Sequence, residues 1–259
     1  MAAFALPLPY STWRHFFWRH PEWWALSLSC AAWLSLFVTV PVSTLFRFSA
    51  AAHPGHAFAS TSTAGPVPIY SQLNSWLFVA VHWLVMIAAM MFPAVIGQLR
   101  FVAARSLWSR RELALALFLA GYTGLWLVFG LLAETVLILV QSLGPRLTVY
   151  LVPVCFMLAA FWQVSRQKRH NLAACHLTAP LAVHGWRASY GCFRHGVSVC
   201  STCFVSCWAL MLACAASIHA LWALLVVTAV VWSERLRPYP RQFFRSLVLL
   251  LIALCSLAF

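Results

Sequence analysis

The chain has 259 residues, 63% of them hydrophobic and 8% charged, where a water-soluble domain carries roughly a quarter charged residues. That balance excludes an ordinary soluble domain. The formal net charge of +13 does not indicate nucleic acid either, because a basic recognition face needs a folded soluble surface to carry it.

A hydrocarbon core about 30 Å thick needs about 20 apolar residues of helix, and such runs recur along the chain. The fold class expected is all-α: a polytopic transmembrane helix bundle of about seven spans, forming a single integral membrane domain over residues 1–259. The spans are expected near 23–42, 74–97, 113–138, 147–164, 197–215, 217–232 and 244–259. Runs such as LFVAVHWLVMIAAMM are apolar throughout instead of alternating, which excludes barrel strands. Span one, preceded by Arg14 and Arg19, has some of the look of a signal peptide. Its apolar run of about 20 residues exceeds the 7–15 of a typical signal core, so it reads as a span. The segment that follows, AAAHPGHAFASTSTAGPVP, carries Pro54, Pro66 and Pro68 with Gly55 and Gly65 and is expected to be irregular. Residues 197–232 are too long for one span and require a break near Ser217 and His219. The basic stretch from Ser165 to Arg194 suits a segment lying on anionic headgroups.

Alternate loops differ sharply in Lys and Arg. One set holds 15 of the 17, including Arg14, Arg19, Arg100, Arg105, Arg110, Arg111, Arg166, Lys168, Arg169, Arg187, Arg194, Arg235, Arg237, Arg241 and Arg245; the other holds Arg47 and Arg146. By the positive-inside rule the amino terminus is cytoplasmic and the carboxyl terminus outside, in a bacterial-type inner (plasma) membrane. Trp18, Trp23, Trp24, Trp108, Trp186 and Trp232 fall near the cytoplasmic edge, where interfacial aromatics concentrate.

Two stripes carry candidate chemistry. In span two His82, Met86 and Met90 are four apart and share a helix face. An imidazole and two thioethers form a soft ligand ladder suited to cuprous copper, and an ionisable side chain inside a span faces the bundle interior by default. In span five Cys200, Cys203, Cys207, Met211 and Cys214 follow at steps of three, four, four and three. All five sulfurs lie on one stripe. Packing by small or adaptable side chains is the competing explanation of both stripes. A closed zinc knuckle is disfavoured, because no C-x-x-C pair repeats. Accessory candidates are Glu134, an acid well inside span three, with His82 as its expected partner, and His53, His56 and His219 toward the outer mouth.

Several elements resemble a family of metal-binding integral membrane proteins, domain of unknown function 2182, over roughly residues 75–235. They are A-M-M-x-P at Ala89 to Pro93, G-Y-x-x-x-W at Gly121, Tyr122 and Trp126, then Gln163, Lys168, Cys175, Gly196 and Cys203, C-W-A-L-M at Cys207 to Met211, and the pair Glu234 and Arg235. Ser206 stands where members usually carry a cysteine adjacent to the one before the tryptophan. The resemblance implies a metal role related to copper.

The reading favoured is a non-enzymatic, metal-binding membrane protein whose ligand is copper as Cu(I). It would hold or pass the ion for delivery, tolerance or cofactor assembly. Its partners would be the lipid bilayer and a metal donor or acceptor protein or other membrane subunits. The alternatives are a haem, quinone or thiol redox membrane protein, and a structural subunit of a larger complex. Hydrolytic chemistry is disfavoured, since the chain has no Asp and no phosphate-cradling glycine loop.

Overall fold

The computed structural model describes residues 20–39, 69–174, 185–218, 220–236 and 242–258. The described residues form α-helices and short 3-10 turns, with no strand among them. In chain order the helices are α1 (Trp23–Thr39), α2 (Ile69–Met91), α3 (Ile96–Arg105), α4 (Arg111–Ser142), α5 (Pro145–Val164), α6 (Arg166–Ala174), α7 (Gly185–Ala216), α8 (Leu221–Leu236) and α9 (Gln242–Ala258).

Local chemistry explains several ends. Gly144, at φ 146°, turns the chain out of α4, and Pro145 then opens α5 at a position where its missing N–H costs nothing. α7 stops at Ala216 and α8 starts at Leu221, so the break required near Ser217 and His219 is there, with Ile218 at φ 58°. Pro93 ends α2. Lacking an N–H, Pro93 cannot serve the carbonyl of Ala89 four residues back. That carbonyl instead accepts Ser29 Oγ at 2.9 Å and Trp33 Nε1 at 3.0 Å, both from α1. The next carbonyl, of Met90, accepts Trp232 Nε1 of α8 at 3.0 Å. A backbone defect in α2 thus becomes the junction of three helices.

The number of spans expected from the sequence is not reproduced by helix length. Among the described residues three helical segments are long and apolar enough to cross a bilayer, Trp108–Ser142, Leu147–Val164 and Gly185–Ala216. A fourth arises if Trp76–Met91 and Pro93–Arg105, bent by 50°, count as one broken span. The physical reason is that proline splits span two, that the apolar runs of α1 and α9, Trp23–Val38 and Phe243–Ser256, are shorter than a straight crossing requires, and that α8, where span six was expected, has only 16 residues.

α4 and α7 form the central pair and run in the same direction. Arg110 donates to the Gly185 carbonyl at 2.9 Å and to Ser189 Oγ at 2.8 Å. Farther along, Trp126 meets Phe204 with ring centroids 5.7 Å apart. Between these points the backbones nearly touch: a Cβ on Gly121 would strike the Phe193 carbonyl, and one on Gly196 would strike that of Phe118. Small residues at a crossing allow this approach. α5 packs on α7 and α9, α6 on α7, and α2 on α1 and α4.

Candidate functional site

The sulfur stripe of α7 is buried along its whole length. Cys200, Cys203, Met211 and Cys214 are 0% exposed and Cys207 is 1% exposed. It is a row and not a cage, because seven residues of helix separate Cys200 from Cys207 by about 10 Å. Accordingly, no group of three or more His, Cys, Asp or Glu among the described residues is arranged to hold a metal ion. The close pair within the row is Cys203 and Cys207, one helical turn apart on the same face of α7 and near enough to act on each other electrostatically. The Tyr122 hydroxyl of α4 shares a hydrogen bond with Cys203 Sγ at 3.2 Å. Arg235 of α8 lies close enough to act on Cys203 electrostatically.

Beside this pair lies a buried polar cluster that spacing alone could not assemble. α6 turns Lys168 and Leu172 inward at an i, i+4 interval, while Arg166, Gln167, Arg169 and His170 stay exposed or half-buried. Lys168 is 0% exposed. Its Nζ lies 3.0 Å from Glu234 Oε1 and donates to Gln163 Oε1 at 2.6 Å. Gln163 in turn donates to Glu234. Burying a lysine is costly unless it is paired and hydrogen-bonded, and here Glu234 supplies the pairing and Gln163 takes a second proton. Lys168 and Glu234 lie within electrostatic reach of Cys207.

The α2 stripe is separate. Met86 and Met90 are fully buried, whereas His82 is half-buried and stacks on Phe78 with centroids 6.4 Å apart. At this level α2 reaches α7 through aromatics: Trp83 packs edge-on to Phe129 of α4, and Phe129 packs on Phe204 of α7 at 5.0 Å. α8 reaches both stripes, through Trp232 at Met90 and the charge of Arg235 near Cys203. Glu134 is buried and accepts Trp83 Nε1 at 3.2 Å. Gly130 leaves the space that the Trp83 ring fills. His53, His56, His219 and Cys175 lie outside the described residues.

Tyr122, Gln163, Lys168, Glu234 and Arg235 belong to the site's surroundings but are not among the candidates that ligand chemistry picks out. Each stands in one of the short recurrent sequence elements, without a role. As a donor set, the Cys203–Cys207 pair with Met211 farther along the row is soft and poor in oxygen. That fits a monovalent thiophilic ion and suits zinc badly, since zinc prefers a closed tetrahedral set.

A family model described as PpoB2, copper chaperone, matches residues 80–258. No curated protein matches the chain, and no solved structure does. The family match corrects the resemblance to domain of unknown function 2182: the family found is PpoB2. Elements of four or five residues, such as A-M-M-x-P and C-W-A-L-M, are too brief to fix a family, whereas this match runs from α2 to the end of α9.

Proposed function

We propose, from the premise that this chain belongs to the PpoB2 copper chaperone family, that it is an integral membrane carrier that holds cuprous copper between Cys203 and Cys207 of α7 and passes it on. Copper is the metal of the family. The observation that carries the choice of site is the pair of adjacent thiols one turn apart, both shut off from water, with the Tyr122 hydroxyl on Cys203 and the charge of Arg235 beside it. Two thiolates are enough for cuprous ion, a soft monovalent cation. Cys200 and Met211 extend the same row toward either end and would serve as stepping positions. His82, Met86 and Met90 on α2 would form a second holding position, with α8 as the element common to both.

Carrying requires binding that is soft and reversible, not a reaction cycle, so no catalytic residue is assigned. Membrane residence is supported by the long apolar helices α4, α5 and α7. The basic loops support a cytoplasmic amino terminus and an outside carboxyl terminus in an inner (plasma) membrane. Its partners would then be the bilayer and a protein that gives or takes copper.

The test is metal analysis of protein purified without oxygen. Cys203→Ser and Cys207→Ser are each expected to lose most of the copper while retaining helicity, and Met86→Leu to lose a smaller share. Buried Met-to-Leu swaps cost less than about 1.5 kcal/mol in stability, so metal lost without unfolding reports ligation. Unchanged copper content in both cysteine variants would sink the assignment. Zinc binding as tight as copper would do the same.

A further inference from the structure

The charges gathered around Cys203 and Cys207 lead one step past the copper assignment, on which this inference rests. Lys168 and Glu234 face each other at 3.0 Å and neutralise one another. Arg235, the next residue on α8, is half-buried and carries its charge within electrostatic reach of both Cys203 and Tyr122. A cuprous ion carries one positive charge and two thiolates carry two negative ones. The loaded unit is therefore an anion, at a place where the two sulfurs are 0% and 1% exposed. An anion held away from water needs a cation against it.

The geometry points to Arg235 as the residue that matches this charge and thereby selects a monovalent ion. With the charge of Arg235 beside them, one cuprous ion and two thiolates sum to zero. A divalent ion in the same two thiolates leaves a surplus positive charge beside the guanidinium, so it is disfavoured on electrostatic grounds as well as by ligand number. Arg235 is a positioning residue and not a ligand: arginine has no lone pair to offer.

The test measures cuprous affinity by chelator competition, and zinc affinity separately, in folded full-length protein. Arg235→Gln is expected to weaken cuprous binding about tenfold or more, equivalent to about 1.4 kcal/mol, and to shift the copper-to-zinc ratio toward zinc. Arg235→Lys, which keeps the charge, should retain most of the affinity. The decisive arm uses Cys207→Met, where one thiolate, one thioether and a cuprous ion are already neutral. In that background Arg235→Gln should no longer weaken copper. Wild-type affinity and ratio in Arg235→Gln, or the same loss in the Cys207→Met background, would overturn the role of Arg235 by showing that it is structural only. Failure of the copper assignment itself looks different: Cys203→Ser and Cys207→Ser would keep their copper whatever stands at 235.

Discussion

Glu22 shows how one side chain fastens distant segments. It precedes α1, is 2% exposed, and accepts Arg100 Nε at 2.9 Å and Arg100 Nη2 at 2.5 Å, tying the entry of α1 to α3. Burial by itself raises its carboxyl; the hydrogen bonds and charge of Arg100, with contributions from its own backbone and His20, outweigh that and hold it below the usual 4.5. A carboxyl whose folded value is depressed contributes stability above its unfolded value, and the contribution disappears as pH falls through the folded one. The thermal midpoint of the detergent-solubilised protein should therefore drop with acid below about pH 4.5 from this bond. Glu22→Gln should lower the midpoint at neutral pH and flatten part of the acid drop; an unchanged midpoint and acid slope would refute the tie. Residues of this kind mark the limit of what the sequence makes legible. The α7 sulfurs are visible because steps of three and four place them on one face of their own helix. Tyr122 and Cys203 are 81 residues apart and Gln163 and Glu234 are 71 apart, so no local period relates them. Lys168, in a short polar helix, reads from the sequence as a solvated charge until packing buries it.

Between elements, the α4–α7 crossing is the contact with least room. Gly121 and Gly196 each face a backbone carbonyl of the other helix closer than a Cβ permits, and backbone cannot swing aside as a side chain does. Gly196→Ala and Gly121→Ala should each destabilise by at least the 1–3 kcal/mol typical of overpacking, roughly. Gly124, on the same helix as Gly121, has nothing within 4 Å of the place a methyl would occupy and is the control. Gly124→Ala should be neutral or stabilising, because alanine is favoured over glycine in a helix by about 1 kcal/mol. Equal effects at Gly121, Gly196 and Gly124 in a thermal or detergent unfolding series would mean that the crossing is not close. The helices themselves are partly legible: apolar runs give α4, α5 and the later two thirds of α7, whose first turns from Gly185 fall in the basic stretch expected to lie on headgroups, and the excess length of 197–232 gives the turn after Ala216. Less legible is the fate of span two. Hydropathy carries it smoothly to residue 97, while Pro93 bends it, and the carbonyl of Ala89, freed by the proline, and that of Met90 accept donors from α1 and α8 that no pattern in α2 announces.

At the scale of the whole molecule, geometry and charge bear on the same question from different sides. Arg110 grips Gly185 and Ser189, so the start of α4 and the start of α7 must lie at one end of the bundle, whatever surrounds it. At 32 residues each, these helices are about 48 Å long, so if they cross a bilayer with a hydrocarbon core of about 30 Å, as proposed, their ends project beyond it. The projecting ends follow from their residues: Arg110, Arg187 and Arg194 sit at the shared end, and Arg111 stacks on Trp108 at 5.2 Å. The opposite ends, at Leu143 and Ser217, carry no Lys or Arg beside them other than Arg146. Because anchoring basic residues are retained on the cytoplasmic side, reporter fusions after Arg110 and Arg187 should both report cytoplasm, and a fusion after Leu143 should report the outer side. A split result at Arg110 and Arg187 would contradict the α4–α7 pairing. Both reporting outside would preserve the pairing and invert the orientation. With the expected orientation, Lys168 and Glu234 lie toward the cytoplasmic side, and the Cys203–Cys207 pair lies near mid-bundle next to them. Copper leaving that pair past α6 would then emerge on the cytoplasmic side, and an impermeant cuprous chelator should strip it faster from inside-out vesicles than from right-side-out ones. Faster stripping from right-side-out vesicles would place the exit at the other end of the α7 row, past Met211 and Cys214.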